Sequence, residues 1–493
     1  MQYKWIVLSN TTLATFMASL DTNIVLIALP TISRELRATS FFDLLWILLG
    51  YQLVNGSLLV NFGRLSDMFG RVKLYNFGFA LFTAASALCS LSQTGEELIA
   101  FRLLQGVGAA FLFSNSGAII TDAFPLEERG KALGINQVSI VVGTLFGLVL
   151  GGVLTTVAGW QSIFYVNIPI GVFATIWSHY RLKEQGEIRR GQKIDIVGNV
   201  TFAGGLAAIL LSVTLESISR LTQGQFAVLF IAGIALLVGF VFTERRVKEP
   251  MLDFSLFKIR LFTAGTVASL LNSLARGAVV LVLTFYLQGP SMGLDALSAG
   301  LFLIPISVAI ALFGPLSGHL SDRYGPRFFA TAGLIVSSMG FLLLASIGRT
   351  VTFWQLAVPL SLVGAGIGLF QSPNRASVLN SVPPHSRGIA TGTATTVFIA
   401  GASFSLGLAF FLLTSGVPIA ELQSIFVGGT AESNAPWIGN FIAAIHDVYY
   451  LSTAFLLVGI IPSVLRGGKR PSTTFENGKP WSPPTGQMFM HDE

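Results

Sequence analysis

The sequence is poor in cysteine, in charge and in the motifs of nucleotide or metal chemistry. Its 493 residues include one cysteine, so no intramolecular disulfide is possible. Charged residues make up 11% of the chain, about half of what a soluble domain uses to cover its surface. No G-x-x-x-x-G-K-[ST] phosphate loop, His/Cys metal cluster or catalytic constellation is evident. We therefore expect no enzyme, no use of ATP, no metal and no cofactor.

Apolar sequence dominates instead, at 52% of residues and a mean hydropathy of +0.71. A membrane-spanning helix needs about 20 mostly apolar residues. Fourteen such runs occur, at residues 5–30, 44–64, 74–93, 98–121, 132–157, 162–181, 195–216, 224–243, 261–287, 299–318, 328–347, 352–371, 387–414 and 447–465. Basic residues are scattered between the runs, which argues against a nucleic-acid partner despite a pI of 9.5. The sequence predicts an all-α integral membrane protein with 14 transmembrane helices.

Lys and Arg predict the orientation of these helices, because cytoplasmic segments carry an excess of basic residues. With the N-terminus inside, 24 of the 30 basic residues lie in inside segments and four lie in outside loops. The other two, Arg102 and Arg276, lie within runs. We therefore expect a multi-pass protein of the cell membrane with both termini in the cytoplasm.

The chain also repeats itself. Residues 106–134 align without gaps to residues 364–392, an offset of 258, and residues 63–71 match residues 318–327 at an offset of 255. Repeats at a constant offset indicate a duplicated unit. We predict two six-helix bundles of parallel topology at 1–182 and 261–466, two inserted helices with cytoplasmic loops at 183–260, and a disordered cytoplasmic tail at 467–493. Parallel repeats of this kind place a substrate site between the bundles at the membrane midplane.

Five segments carry a family resemblance. They are GRLSDMFGRVK (63–73), ASLDTNIVLIALPTI (18–32), FRLLQGVG (101–108), GTLFGLVLGG (143–152) and GWQSIFYVNIPIG (159–171). Together they resemble the motifs of the major facilitator superfamily and, within it, the fourteen-helix drug:proton antiporter branch. The resemblance covers most of residues 5–466 and implies a secondary transporter that works by alternating access.

In the family, the loop at 63–73 is a conformational latch between the bundles, which here implies roles for Gly63, Asp67, Gly70 and Arg71. The second copy adds Asp322 and Arg327. Glycine permits the tight turn that such a loop needs. The alternative is a charged turn that only enforces topology.

Asp21 is the one acidic residue placed deep in a predicted span. A carboxylate in hydrocarbon is costly, so it is either functional or paired. We predict that Asp21 binds the coupled proton, and the alternative is a structural hydrogen-bonding role. The family links the arginine at Arg102 to proton transfer; the alternative is an arginine that extends to the membrane surface.

Gly143, Gly147, Gly151 and Gly152 match the antiporter motif of helix five, and they permit a close helix contact or a hinge. The family's proline is replaced by Leu148. This departure removes a kink and leaves the direction of transport open.

Polar residues in or near other runs are candidates for the substrate cavity: Asn115, Gln137, Asn167 and Arg276. Asn167 could instead bond a neighbouring backbone, and Arg276 could meet a substrate carboxylate or phosphate, Asp21 or a carbonyl. We predict a monomeric, proton-coupled exporter of small organic molecules or drugs, with protons and the lipid bilayer as its other partners. The alternative is a facilitator or proton symporter of an anionic or zwitterionic metabolite.

Overall fold

The computed structural model describes residues 2–36, 40–185, 195–217, 221–247, 250, 252, 254–289, 291–382, 387–418, 421–422 and 437–466. These residues form helices without any strand. The α-helices are α1 (Tyr3–Glu35), α2 (Phe41–Phe69), α3 (Arg71–Leu91), α4 (Gly95–Ala123), α5 (Leu126–Ala158), α6 (Ser162–Tyr165), α7 (Asn167–Arg181), α8 (Ile196–Ser217), α9 (Gln223–Glu244), α10 (Arg260–Arg276), α11 (Val279–Gln288), α12 (Ala296–Tyr324), α13 (Pro326–Leu344), α14 (Phe353–Asn380), α15 (Arg387–Gly416) and α16 (Trp437–Leu465).

Thirteen helical segments of the described chain are long and apolar enough to cross a membrane. The remaining predicted run, 162–181, is formed by α6 and α7, which meet at Val166. The last helix begins at Trp437, ten residues before the predicted start. His446 lies inside this helix, with a ring nitrogen 2.7 Å from the Ile347 carbonyl oxygen. This partner lets a polar side chain sit within the helix.

The helices pack as two six-span bundles, the first built from α1–α7 and the second from α10–α16. Small residues set the closest contacts within each bundle. A Cβ on Gly108 of α4 would lie 2.7 Å from the Phe82 nitrogen of α3, and one on Gly333 of α13 would lie 2.6 Å from the Gly366 oxygen of α14. Helices in lipid have no hydrophobic driving force to associate, so the close packing of backbones at these small residues stabilises each bundle.

The inserted helices α8 and α9 pack against each other, and α8 also packs against α2 of the first bundle and α15 of the second. The Trp46 indole N–H donates to Thr214 Oγ1 at 3.2 Å, and Asn199 Nδ2 donates to the Ser57 carbonyl at 2.6 Å. Half of the large apolar side chains of α9 are exposed, as suits contact with lipid. The inserted pair therefore covers one seam between the bundles.

We call the face with Tyr3 and Leu465 the terminal face and the other end of the helices the opposite face. At the opposite face, Gln288 Nε2 donates to the Ile27 carbonyl at 3.0 Å. Nearby, a Cβ on Gly152 of α5 would meet the α12 backbone at Ala296 at 2.6 Å. Toward the terminal face, Gly134 and Gly314 of the same two helices have open space at the Cβ position. The bundles are thus in contact at the opposite face, and α2 and α15 also meet, where a Cβ on Gly56 would lie 2.6 Å from Ile399 Cγ2.

Candidate functional site

Asp21 is fully buried on α1 and is bound by three side-chain donors. Arg102 Nη1 donates to Oδ2 at 2.6 Å. Gln105 Nε2 and Asn167 Nδ2 donate to Oδ1 at 2.9 Å and 2.8 Å. Charge-assisted hydrogen bonds of this kind are about twice as strong as neutral ones. Both oxygens are therefore satisfied, and the carboxylate has a neutralising partner inside the bundle.

Two helices bring these donors to α1. Arg102 and Gln105 are three residues apart on α4, so they lie on one face of that helix. Gly106 follows at once, and a Cβ there would lie 2.9 Å from the Tyr51 carbonyl oxygen, so α2 approaches closely. Asn167 is the first residue of α7 and is fully buried. The site is thus assembled from α1, α4 and α7.

The Arg102 guanidinium has further neighbours. Its Nε donates to the Ile47 carbonyl at 3.1 Å, and its Cζ lies 4.2 Å from the centre of the Tyr51 ring. A cation over an aromatic face is stabilised most when it is desolvated, as here. Its Nη2 has no hydrogen-bond partner in the described part of the chain. Arg102 is fully buried, so it does not extend to the membrane surface.

The glycines of α5 face two helices. A Cβ on Gly143, Gly147 or Gly151 would meet carbonyl oxygens of α1 at 2.6, 2.7 and 3.0 Å, respectively. These positions are four residues apart and form one stripe along α1, beside Asp21. Gly152 points the other way, to α12 of the second bundle. The motif therefore connects the helix that carries the carboxylate with the contact between the bundles.

The loop at 63–73 forms a charged network at the terminal face. Arg71 Nε donates to Asp67 at 2.7 Å, and its Nη1 donates to both oxygens of Asp122 at 2.8 and 2.7 Å. Glu184 accepts from two backbone N–H groups at the start of α3, one of them that of Arg71, at 3.0 Å. Gly70 has a φ of 106°, which glycine adopts without strain. These contacts all lie within the first bundle.

Asp122 and Glu184 were missed by the sequence analysis. The repeat could have pointed to Asp122, because this residue lies in the repeated segment and its equivalent in the second copy is the polar Asn380. In the second copy of the latch, Gly325 has a φ of 87° between α12 and α13, and Arg327 is exposed. The Asp322 side chain lies outside the described residues. Gly63 has only one atom near its Cβ position, Ser114 Cβ at 3.9 Å.

Among the described residues, no hydrogen bond joins the predicted cavity residues to one another. Asn115 is buried and donates to the Phe111 carbonyl of its own helix at 2.8 Å, so it lies in packing in this conformation. Asn167 bonds Asp21 instead of facing a cavity or a backbone group. Gln137 is half-buried on α5.

Arg276 ends α10 and is also half-buried. Its Cζ lies 4.7 Å from the centre of the Phe398 ring, and its Nη1 is 3.5 Å from Gln371 Oε1. None of the acidic groups in the described residues forms a salt bridge with it. Its partner is therefore neither Asp21 nor any other carboxylate of that part of the chain.

Comparisons with known proteins agree with this architecture. A sequence model of the family described as Major Facilitator Superfamily matches residues 11–406 and 261–489. The chain belongs to the major facilitator superfamily. The resemblance predicted from the motifs is thereby confirmed, and the family places the chain among transporters and not among enzymes.

Two superfamily relatives are similar over most of their length. The riboflavin transporter RibZ of Clostridioides difficile is 32% identical over 94% of this chain and 98% of its own. Multidrug resistance protein 3 of Bacillus subtilis is 30% identical over 86% of this chain and 82% of its own. Among solved structures, a bacterial homologue of the human lysosomal transporter Spinster, in an inward-facing and unoccupied conformation, has a TM-score of 0.67. It is 14% identical and covers 94% of this chain and 97% of its own, so it shows the shared fold.

Proposed function

We propose that the chain exports small organic molecules in exchange for protons, with Asp21 as the proton-binding carboxylate and Arg102 as its charged partner. The observation that carries this proposal is the buried ion pair between these two residues, 2.6 Å apart with no exposed surface on either side chain. Ionisable groups inside a membrane bundle are costly, and they commonly mark proton or ion pathways.

The packing supplies a route from the carboxylate to the bundle interface. When Asp21 takes up a proton, its attraction to Arg102 falls and the arginine needs another partner. Gly147 lies against the Leu20 carbonyl beside Asp21, and Gly152 on the same helix lies against α12. A shift of α1 would therefore move α5 and the contact that closes the opposite face.

A proteoliposome assay tests the coupling role. Riboflavin and ethidium serve as probes, because the relatives are named for riboflavin and multidrug transport. Vesicles with a pH-sensitive dye report whether a cargo gradient drives proton movement. We expect Asp21→Asn to abolish proton movement, and Asp447→Asn, the same change at an exposed position of α16, to leave it intact. Wild-type rate and pH dependence in Asp21→Asn would overturn the assignment.

We further propose that Gly63, Asp67, Gly70, Arg71, Asp322 and Arg327 act as the latch. Arg71 is supported in this role by its three-way network with Asp67 and Asp122, which fixes the ends of α2, α3 and α4 relative to one another. In the present conformation this network stays within one bundle. The same proposal puts both termini in the cytoplasm and the working chain in the cell membrane as a monomer.

A second candidate function is uptake or facilitated passage of an anionic or zwitterionic metabolite. Arg276 favours it, because this half-buried cation has no salt-bridge partner within the described chain and could meet a substrate carboxylate or phosphate. Leu148 in place of the family's proline leaves the direction of transport open. Cargo flux measured with and without an imposed pH gradient separates the two candidates, since a facilitator would not respond to the gradient and a symporter would move cargo in the same direction as protons.

A further inference from the structure

A pair of buried acidic side chains lies far along the chain from Asp21, at the terminal face, where α8 begins and α9 ends. Asp195 precedes α8 and is 6% exposed, and Glu244 ends α9 and is 3% exposed. Asp195 Oδ1 accepts from the Gly198 backbone N–H at 2.7 Å. Glu244 Oε2 accepts from the Leu252 backbone N–H at 3.2 Å. Each carboxyl group is thus fixed by one oxygen to the backbone.

The other two oxygens both lie against Gly198. A Cβ added at Gly198 would collide with both Asp195 Oδ2 and Glu244 Oε1, so the two atoms share one small space. Neither atom has a hydrogen-bond partner among the described residues. Two ionised carboxylates offer only acceptors, so a hydrogen bond between them requires a proton on one of them. Two like charges this close and this buried also disfavour double ionisation.

A metal ion fits the space poorly. Magnesium and calcium take about six or more oxygen ligands, and no group of three or more metal-ligating side chains occurs among the described residues.

Basic residues also lie near this pair. The positive charge of Arg64 on α2 attracts Glu244, and Arg64 Nη2 donates to the Pro250 carbonyl. Arg245 and Arg246, which follow on the chain, are exposed. A proton is the ligand that this geometry accepts.

We propose that Asp195 and Glu244 share one proton and form a second proton-binding site, separate from Asp21. The site ties the start of α8 to the end of α9 and to the Leu252 backbone, on the path into the second bundle. Loss of the proton would leave two carboxylates in contact and drive these three segments apart. The inserted helices would thereby respond to the pH at the terminal face.

Infrared spectroscopy of the purified protein at neutral pH tests the proton directly. We expect a protonated-carboxyl C=O band that disappears in Glu244→Gln and persists in Glu96→Gln, a matched change at an exposed position of α4. Asp21→Asn should keep the band, so that this test does not depend on the proposed transport coupling. The proposal would be overturned if the wild-type spectrum had no protonated-carboxyl band, or if the band remained in Glu244→Gln.

Thermal unfolding in detergent gives a second readout. At a pH above the ordinary carboxyl range, the unfolded chain has released this proton, whereas the folded pair still holds it. The free energy of unfolding therefore falls as the pH rises. One extra bound proton raises the unfolding equilibrium constant about tenfold per pH unit over the range in which the folded pair still holds it. Glu244→Gln, or Asp195→Asn if that variant does not fold, should lack this part of the slope. The proposed site would be refuted if the stability of the variant and of the wild type depended on pH in the same way. It would also be refuted if added sodium or calcium stabilised the protein instead of protons.

Discussion

The Asp21–Arg102 pair allows a quantitative test of the candidate site. Removing one partner of a buried ion pair leaves an uncompensated charge and costs about 3–5 kcal/mol of unfolding free energy. The two partners should differ in how this loss depends on pH. A carboxylate can become neutral by taking up a proton, whereas a guanidinium stays charged in proteins.

In Asp21→Asn, the new amide nitrogen would meet a donor in either orientation, Arg102 Nη1 at one position or Gln105 and Asn167 at the other. Arg102 would also keep its charge in a fully buried position. We expect the loss of about 3–5 kcal/mol at every pH. In Arg102→Gln, the carboxylate keeps its donors Gln105 and Asn167 and can bind a proton. We therefore expect a similar loss at alkaline pH and a smaller one at acidic pH.

The double variant Asp21→Asn/Arg102→Gln removes both charges, so its loss should fall short of the sum of the single losses by about 1–3 kcal/mol. Equilibrium unfolding in mixed micelles, followed by circular dichroism at several pH values, measures all four proteins. Asp447→Asn is the exposed control. Additive losses, or an Arg102→Gln loss that grows toward acidic pH, would refute the reasoning.

Three further predictions concern single contacts. Gly152→Val should push α5 away from α12 and increase the rate of thiol labelling at a cysteine introduced in place of Leu297 several-fold. The native cysteine is buried, so labelling reports on the introduced one. Gly239→Val, which has open space at its Cβ position, should leave the labelling rate unchanged. Asn167→Ala removes a donor to the buried carboxylate and should cost about 1–3 kcal/mol in unfolding free energy. Asp295 caps α12, and hydrogen bonds from the side chain and backbone three residues on lower its pKa. Asp295→Ala should thus cost about 1 kcal/mol at neutral pH, and the difference should vanish as the pH falls through that lowered pKa.

The sequence was informative about spans and about which helix carries which charged residue. The predicted runs and the helices agree because hydrocarbon forces every backbone group into an internal hydrogen bond. The start of α16 was predicted ten residues too late, because the polar His446 interrupts the apolar pattern there. In the structure, the Ile347 carbonyl oxygen lies 2.7 Å from a His446 ring nitrogen, and this partner accommodates the polar side chain within the helix.

Sequence alone placed Asp21 and Arg102 on helices one and four, and identified the glycines of helix five. It did not show that Arg102 reaches Asp21, that Asn167 joins them, or that Asp195 and Glu244 meet. A helix that is apolar on every side has no amphipathic pattern in its sequence to indicate which face it buries. The faces that such helices turn to each other are therefore decided by packing. The length and order of the spans are fixed by the chain's interaction with lipid, whereas the partners of each buried charge depend on contacts between helices distant in sequence.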